Sequence, residues 1–132
     1  MPMTSPFHSA DAPDIGLAEY LQRLRDYMGC SIECFVIGLV YIDRLAKQYT
    51  KIISPKSVHR LVIAALVLAA KFQDDNIYFN DHYALVGGIT LPELNSLECH
   101  LLELLHWKLY VSQKEFDLYR ELLCCSGRAS AE

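Results

Sequence analysis

Asp74 and Asp75, with Asn76 directly after them, are an acidic pair whose side chains could bind a cation. Oxygen-bearing side chains at alternate positions can open a calcium loop, and Asp74-x-Asn76 begins like one. Tyr78 then stands at a ligand position, and the required Gly and terminal Glu do not follow, so calcium is rejected and a solvated acidic turn is the plain reading. The histidines are His8, His59, His82, His100 and His106. His59 is expected on the polar side of a helix start. His100 and His106 lie six apart rather than four, which puts no metal-binding pair on one helix face. There is no Gly-x-Ser-x-Gly, no phosphate-cradling glycine loop and no His-Glu-x-x-His. The five cysteines, Cys30, Cys34, Cys99, Cys124 and Cys125, are odd in number and contain no Cys-x-x-Cys, so neither a disulfide framework nor a zinc site fits. Reduced cysteines serving as small hydrophobes are the expectation. No catalytic residue, metal or cofactor is expected, and the chain does not read as an enzyme.

Two isolated charges carry more information. Lys71 falls at the last turn of a strongly apolar helix, where a cation is favoured by the helix dipole and can bond the last free carbonyls. Glu98 falls among Leu94, Leu97, Leu101 and Leu102. An acid on such a stripe is either paired or turned toward a partner. A Lys71–Glu98 ion pair inside the domain and a pair of partner-facing groups are both open, and the two are compatible.

These residues need a scaffold, and the bulk composition allows one domain. The chain has 132 residues, 52% hydrophobic and 21% charged, enough to build a core and rich enough in apolar surface to suggest a partner-binding face. Twelve Lys and Arg against 16 Asp and Glu give a net charge of −4. A mildly acidic chain without a basic stripe is a poor nucleic-acid binder. The N-terminus lacks the pattern of a secretory signal, and the apolar run over 61–70 is about half a membrane span. No nucleic acid, no membrane and an intracellular place, cytoplasm or nucleus, are the expectations.

The periodicity predicts five helices and no strand. Residues 1–13, with Pro2, Pro6 and Pro13, read as a flexible arm, and 125–132 as a flexible tail, leaving 14–124 as the folded unit. Asp14 is expected to cap a helix over 14–28, stopped by Gly29, with Leu17, Tyr20, Leu21, Leu24 and Met28 on one face. Ser31 is expected to cap a second helix to about residue 49, with Phe35, Leu39, Ile42 and Leu45 as its stripe. Ser54-Pro55 opens a third to about residue 72, apolar all round over 61–70 and therefore central in a bundle. Residues 73–89 read as an irregular, functional loop. Capping boxes at Thr90-Leu91-Pro92-Glu93 and Ser112-Gln113-Lys114-Glu115 start helices ending near 107 and 123.

This order, with the residues at its corners, resembles a cyclin box over 17–123. The matching pieces are Tyr41-Ile42-Asp43-Arg44-Leu45, Leu68-Ala69-Ala70-Lys71-Phe72, Leu97-Glu98-Cys99-His100-Leu101-Leu102 and Leu105-His106-Trp107-Lys108-Leu109. Within the family it looks most like the P-type, phosphate-pathway group of fungi and protists, through His82-Tyr83-Ala84-Leu85-Val86-Gly87-Gly88-Ile89 followed by Glu93-Leu94-Asn95. The resemblance implies an all-α, single-box regulatory subunit that binds a cyclin-dependent protein kinase one-to-one and stabilises its active conformation. It implies that Lys71 and Glu98 bond the kinase backbone near its regulatory C-helix, beside an apolar platform of Leu68, Phe72, Leu102, Leu105, Trp107 and Leu109. Phe72 and Trp107 are the stronger members, since aromatic anchors dominate interface energetics; for any single leucine, ordinary core is the simpler expectation. The P-type resemblance also makes Asp75 a candidate acid for the arginines of the kinase's activation segment. The Met-Arg-Ala-Ile-Leu docking segment of cell-cycle cyclins is absent; Tyr20-Leu21-Gln22-Arg23-Leu24-Arg25 stands in its place, and a second box is not expected. The alternative is a helical scaffold or transcription adaptor of the same fold that binds something other than a kinase.

Overall fold

The computed structural model describes residue 7, residues 14–74 and residues 77–131, the last eight of these by backbone alone. The described residues fold into α1 Leu17–Tyr27, α2 Ile32–Gln48, α3 Val58–Gln73, α4 Asn80–Gly87, α5 Leu91–Leu104 and α6 Gln113–Ala131. No strand occurs among the described residues.

The reason α3 sits at the centre is visible in its spacing. Leu61, Ala64, Ala65, Leu68 and Ala69 recur at helical intervals and pack into a cluster with Cys34, Ile37, Tyr41 and Leu45 of α2 and Leu97 and Leu101 of α5. The opposite stripe, Val62, Ile63, Leu66 and Val67, packs with Tyr20 and Leu24 of α1, Tyr83, Ala84 and Val86 of α4, and Leu94 of α5. A helix with two apolar stripes has no face left for water, and all ten residues over 61–70 are buried. Gly38 lets α2 approach: a Cβ there would lie 3.0 Å from Leu66 Cδ2. α6 packs on the far side of α2 through Tyr119 against Val36 and Val40.

Several local expectations are corrected. α1 is led in by Gly16 rather than capped by Asp14. Ser31 does precede α2, but its hydroxyl does not cap the helix; it donates to Asp74 Oδ1 at 2.7 Å. The buried stripe of α2 is Cys34, Ile37, Tyr41 and Leu45, not the one centred on Phe35 and Leu39. Ser54-Pro55 forms a turn that leads into α3, which starts at Val58; Ser57 Oγ accepts from Ser54 N at 2.9 Å and donates to the Ile52 carbonyl. The expected arm lies outside the described residues except for Phe7, whose ring is fully buried in the α2–α3–α5 cluster. At the other end α6 continues to Ala131 where a frayed tail was expected. Residues 124–131 contain no proline, and Ala and Arg favour helix.

The largest correction is α4. Residues 73–89 are not wholly irregular, and the described residues form six helices where five were expected. α4 ends in a Schellman closure: Gly88 at φ 70° donates to the Leu85 carbonyl at 3.2 Å and Ile89 to Ala84 at 3.0 Å. Both capping boxes are half correct. Thr90 Oγ1 accepts from Glu93 N at 3.2 Å and Ser112 Oγ from Glu115 N at 3.1 Å. The acids, however, reach across the bundle, Glu93 to Arg60 at 3.1 Å and Glu115 to Arg44 at 2.8 Å.

Candidate functional site

Lys71 lies in the last turn of α3, and Glu98 lies in the middle of α5, which packs against α3. Lys71 Nζ donates to both Glu98 oxygens, at 2.7 and 3.0 Å. The Glu98 side chain is 14% exposed and the Lys71 side chain 32%, so the pair sits at the rim of the core rather than in open water. The expected intradomain pair therefore forms. A third residue joins it from α4: Asn80 Nδ2 donates to Glu98 Oε2 at 3.1 Å and to Asn95 Oδ1 at 2.7 Å. Asn80 was missed from the sequence because its segment read as loop; the helix-stop signal of Gly87-Gly88 was the clue that a helix preceded it.

Around the pair the predicted platform divides. Leu68 and Leu105 are core residues, 4% and 5% exposed, and present almost no surface of their own. Leu102 and Leu109 are half-buried against the core. Phe72 and Trp107 are exposed, at 53% and 69%, and both line an open groove of about 790 Å3 with Arg44, Lys47, Leu105 and Tyr110. Asp75 lies outside the described residues.

The backbone that presents Trp107 is unusual. α5 closes with His106 N donating to Glu103 O and Trp107 N to Leu102 O, both at 3.0 Å. His106 and Trp107 are left-handed, with φ 55° and 59°, and neither is glycine. Each such residue costs about 1–2 kcal/mol. Residues held this way persist where their surroundings over-determine them, and they cluster at functional sites. Here the surroundings come from α2. Tyr41 Oη donates to the Leu109 carbonyl at 2.8 Å, and Arg44 donates to the carbonyls of Lys108 and Tyr110 at 2.9 and 3.0 Å as well as to Glu115. Burial pushes the Tyr41 phenol up to about 12, so it stays a donor. Asp43 completes the strip: it accepts from the Tyr119 hydroxyl, the main reason its carboxyl titrates below the usual range, and pairs with Lys47 at 3.0 Å.

Asp74 anchors the other end of the site. It terminates α3, its N–H bonding Ala70 O at 2.9 Å, and its carboxylate accepts from Ser31 N and Oγ at 3.1 and 2.7 Å. Burial alone would raise this carboxyl, but the bonds from Ser31 and Cys34 outweigh it and hold it below the usual value. The acidic turn is thus half structural. His59 is buried against Tyr20, its Nε2 2.8 Å from Ile15 O, and does not lie on a polar face. His100 bonds its own helix, Nδ1 to Ser96 O at 2.7 Å. No described helix is long and apolar enough to cross a membrane.

The arrangement thus holds a polar pair where α3 meets α5, and two exposed aromatic rings, Phe72 and Trp107, that share an open groove. Residues 1–109 match the family model described as Cyclin. The chain is 44% identical to Cyclin-U1-1 of Arabidopsis thaliana over 114 residues, 86% of this chain and 54% of that protein. It is 42% identical to Cyclin-P3-1 of Oryza sativa subsp. japonica, over 86% of this chain and 48% of that one. It is 36% identical to PHO85 cyclin-7 of Saccharomyces cerevisiae, over 89% and 45%. The chain spans about half the length of the curated relatives it matches. With a family model covering most of its length and a helical bundle built on a buried third helix, the chain belongs to the cyclin family.

Proposed function

We propose that the chain binds a cyclin-dependent protein kinase one-to-one and holds it in its active conformation through the face made by the end of α3, α5 and the turn at 105–109. The observation that carries this reading is the Lys71–Glu98 pair, together with the exposed rings of Phe72, next to Lys71 in the chain, and Trp107. The ammonium keeps a donor and the carboxylate keeps acceptor positions after they bond each other, so both can also bond a partner's backbone. The aromatic rings supply the apolar anchors such an interface needs, with Leu68 and Leu105 supporting them from beneath. Docked on the kinase's C-helix, this face holds that helix inward, so that the kinase's own Lys–Glu ion pair closes and its activation segment orders. Phosphoryl transfer stays with the kinase. Asp75 is assigned to the activation-segment arginines.

Residues 14–124 are taken as the box, in an intracellular protein. We place it with the P-type cyclins; relatives with P-type names and a yeast PHO85 cyclin are among its matches, alongside the plant U-type cyclins. The test is capture of a kinase from native extract by the wild-type chain and by Lys71→Ala/Glu98→Ala. Removing both charges leaves neither unpaired, so folding should change by no more than about 1 kcal/mol. Kinase capture should fall at least tenfold. Failure of the wild type to capture a kinase, or equal capture by the folded double variant, overturns the reading.

A further inference from the structure

Asn80 opens α4, yet its side chain bonds α5. Its Nδ2 donates to Glu98 Oε2 at 3.1 Å and to Asn95 Oδ1 at 2.7 Å. Chemistry fixes the direction of the amide: a carboxylate only accepts, so the nitrogen and not the oxygen must face Glu98. Both Asn80 amide hydrogens are thereby used. Its Oδ1 is buried and finds no partner among the described residues. A buried acceptor without a donor opposes folding, and it offsets part of what the two donor bonds contribute. α4 does not depend on Asn80 for its place, because Tyr83, Ala84 and Val86 hold it in the cluster with α1 and α3. The Asn80 side chain therefore adds little to the fold on balance, while it bears directly on Glu98.

Without Asn80, Glu98 would be held from one side only. Lys71 Nζ donates to both of its oxygens from α3, at 2.7 and 3.0 Å. An ammonium on a flexible four-carbon stem can follow a carboxylate as it turns, so that contact alone does not fix the carboxylate plane. A further donor from a different helix does. It also sorts the two oxygens. A carboxylate has about four acceptor positions. Oε2 receives Lys71 and Asn80, whereas Oε1 receives Lys71 alone, so the position left open lies on Oε1.

We propose that Asn80 is a positioning residue for partner binding: it saturates Glu98 Oε2 and locks the carboxylate, so that Glu98 offers Oε1, and Lys71 its remaining hydrogen, in one fixed direction. The gain is preorganisation, since side chains already ordered in the free chain lose less freedom when they bind. The use of this geometry by a kinase rests on the proposed function. The locking of Glu98 does not, and it is tested without a kinase.

In the free chain, carbon relaxation of the Glu98 side chain should show it confined in wild type and mobile in Asn80→Ala, with melting temperatures within about 5 °C of each other. Asn80→Asp is the second variant. It keeps the shape, and an acid suits the first turn of a helix, but it turns an acceptor toward Glu98 in place of the donor. Against the kinase recovered with the wild-type chain, Asn80→Ala should weaken binding about threefold to tenfold, the cost of ordering one long side chain, and Asn80→Asp should weaken it further. In the Lys71→Ala/Glu98→Ala background, Asn80→Ala should have no additional effect, because its target is gone. A wild type that captures no kinase overturns the proposed function, and the relaxation measurement then decides the locking by itself. Glu98 equally confined with and without Asn80, wild-type affinity in the folded Asn80→Asp, or an equal loss from Asn80→Ala in both backgrounds would each overturn the proposal.

Discussion

Replacing Trp107 separates its place in the fold from its place in an interface. The ring is 69% exposed, so about a third of it is hidden. A tryptophan side chain carries up to about 250 Å2. At about 25 cal/mol per Å2, the hidden part is worth at most about 2 kcal/mol to folding. Trp107→Ala should lose no more than that, while keeping a residue at φ 59°. Trp107→Gly loses the same ring but relieves the left-handed backbone. Against the extra freedom glycine gives the unfolded chain, the relief should leave Gly more stable than Ala by about 0.5–1 kcal/mol. For a chain of this size that is about 2–5 °C in Tm, measurable by thermal melts. If Trp107 anchors the kinase, both variants should lose about 2 kcal/mol or more of binding, roughly 30-fold in Kd, measured by titration against the kinase recovered with wild type. The stability order and the binding loss thus run independently. An Ala variant more stable than the Gly variant refutes the backbone part; wild-type affinity in both refutes the anchor.

Other perturbations report on the scaffold. Tyr20→Phe deletes a 2.7 Å bond to the Gly87 carbonyl and should cost about 1–2 kcal/mol by denaturant titration. Burial pushes the Tyr20 phenol from 10.0 up to about 12, so its neutral form belongs to the fold. That stability is complete below pH 10 and lost as pH rises toward 12, and the Phe variant should show a shallower alkaline fall. Asp74→Asn should cost about 1–2 kcal/mol at neutral pH. Because the Asp74 carboxyl titrates low, its contribution holds above the ordinary carboxylate range and disappears as pH falls through the lowered folded value, so the two melting curves should converge as the carboxyl protonates. Gly87→Ala places a Cβ 2.8 Å from Cγ1 of the fully buried Ile63 and should lower stability by about 1–3 kcal/mol; a melt equal to wild type would contradict that packing.

The parts of this molecule that the sequence announces are those set by local pattern. α3 is legible because ten consecutive apolar residues bounded by Ser54-Pro55 and Lys71 leave few alternatives. The hydroxyl halves of both capping boxes are legible because they act within one turn. Their acids are not, since Arg60 and Arg44 arrive from other helices and a full charge outcompetes a backbone N–H. α4 is hidden for a related reason. Its eight residues, Asn80–Gly87, form too short a helix to stand alone, and what holds it is Tyr83, Ala84 and Val86 against α1 and α3. With α4 unseen, Asn80 could not be placed beside Glu98. Lys71 and Glu98 were within reach because each is anomalous on its own helix, a cation and an acid in otherwise apolar stripes.

The site also shows how one helix can fix the shape of a turn on another. Tyr41-Ile42-Asp43-Arg44 lies on α2, one helix away from the Lys71–Glu98 pair, yet every polar member of it has a defined partner. Tyr41 and Arg44 hold the carbonyls of Lys108, Leu109 and Tyr110, and Asp43 holds Tyr119. Two left-handed non-glycine residues in succession, His106 and Trp107, could relax if the chain after them were free to swing. Clamping that chain to α2 removes the relaxed alternatives, and the turn stays in the one conformation that points the Trp107 ring outward beside Phe72. The strained turn and the distant clamp are then one device, and the exposure of a large aromatic ring is what the clamp maintains.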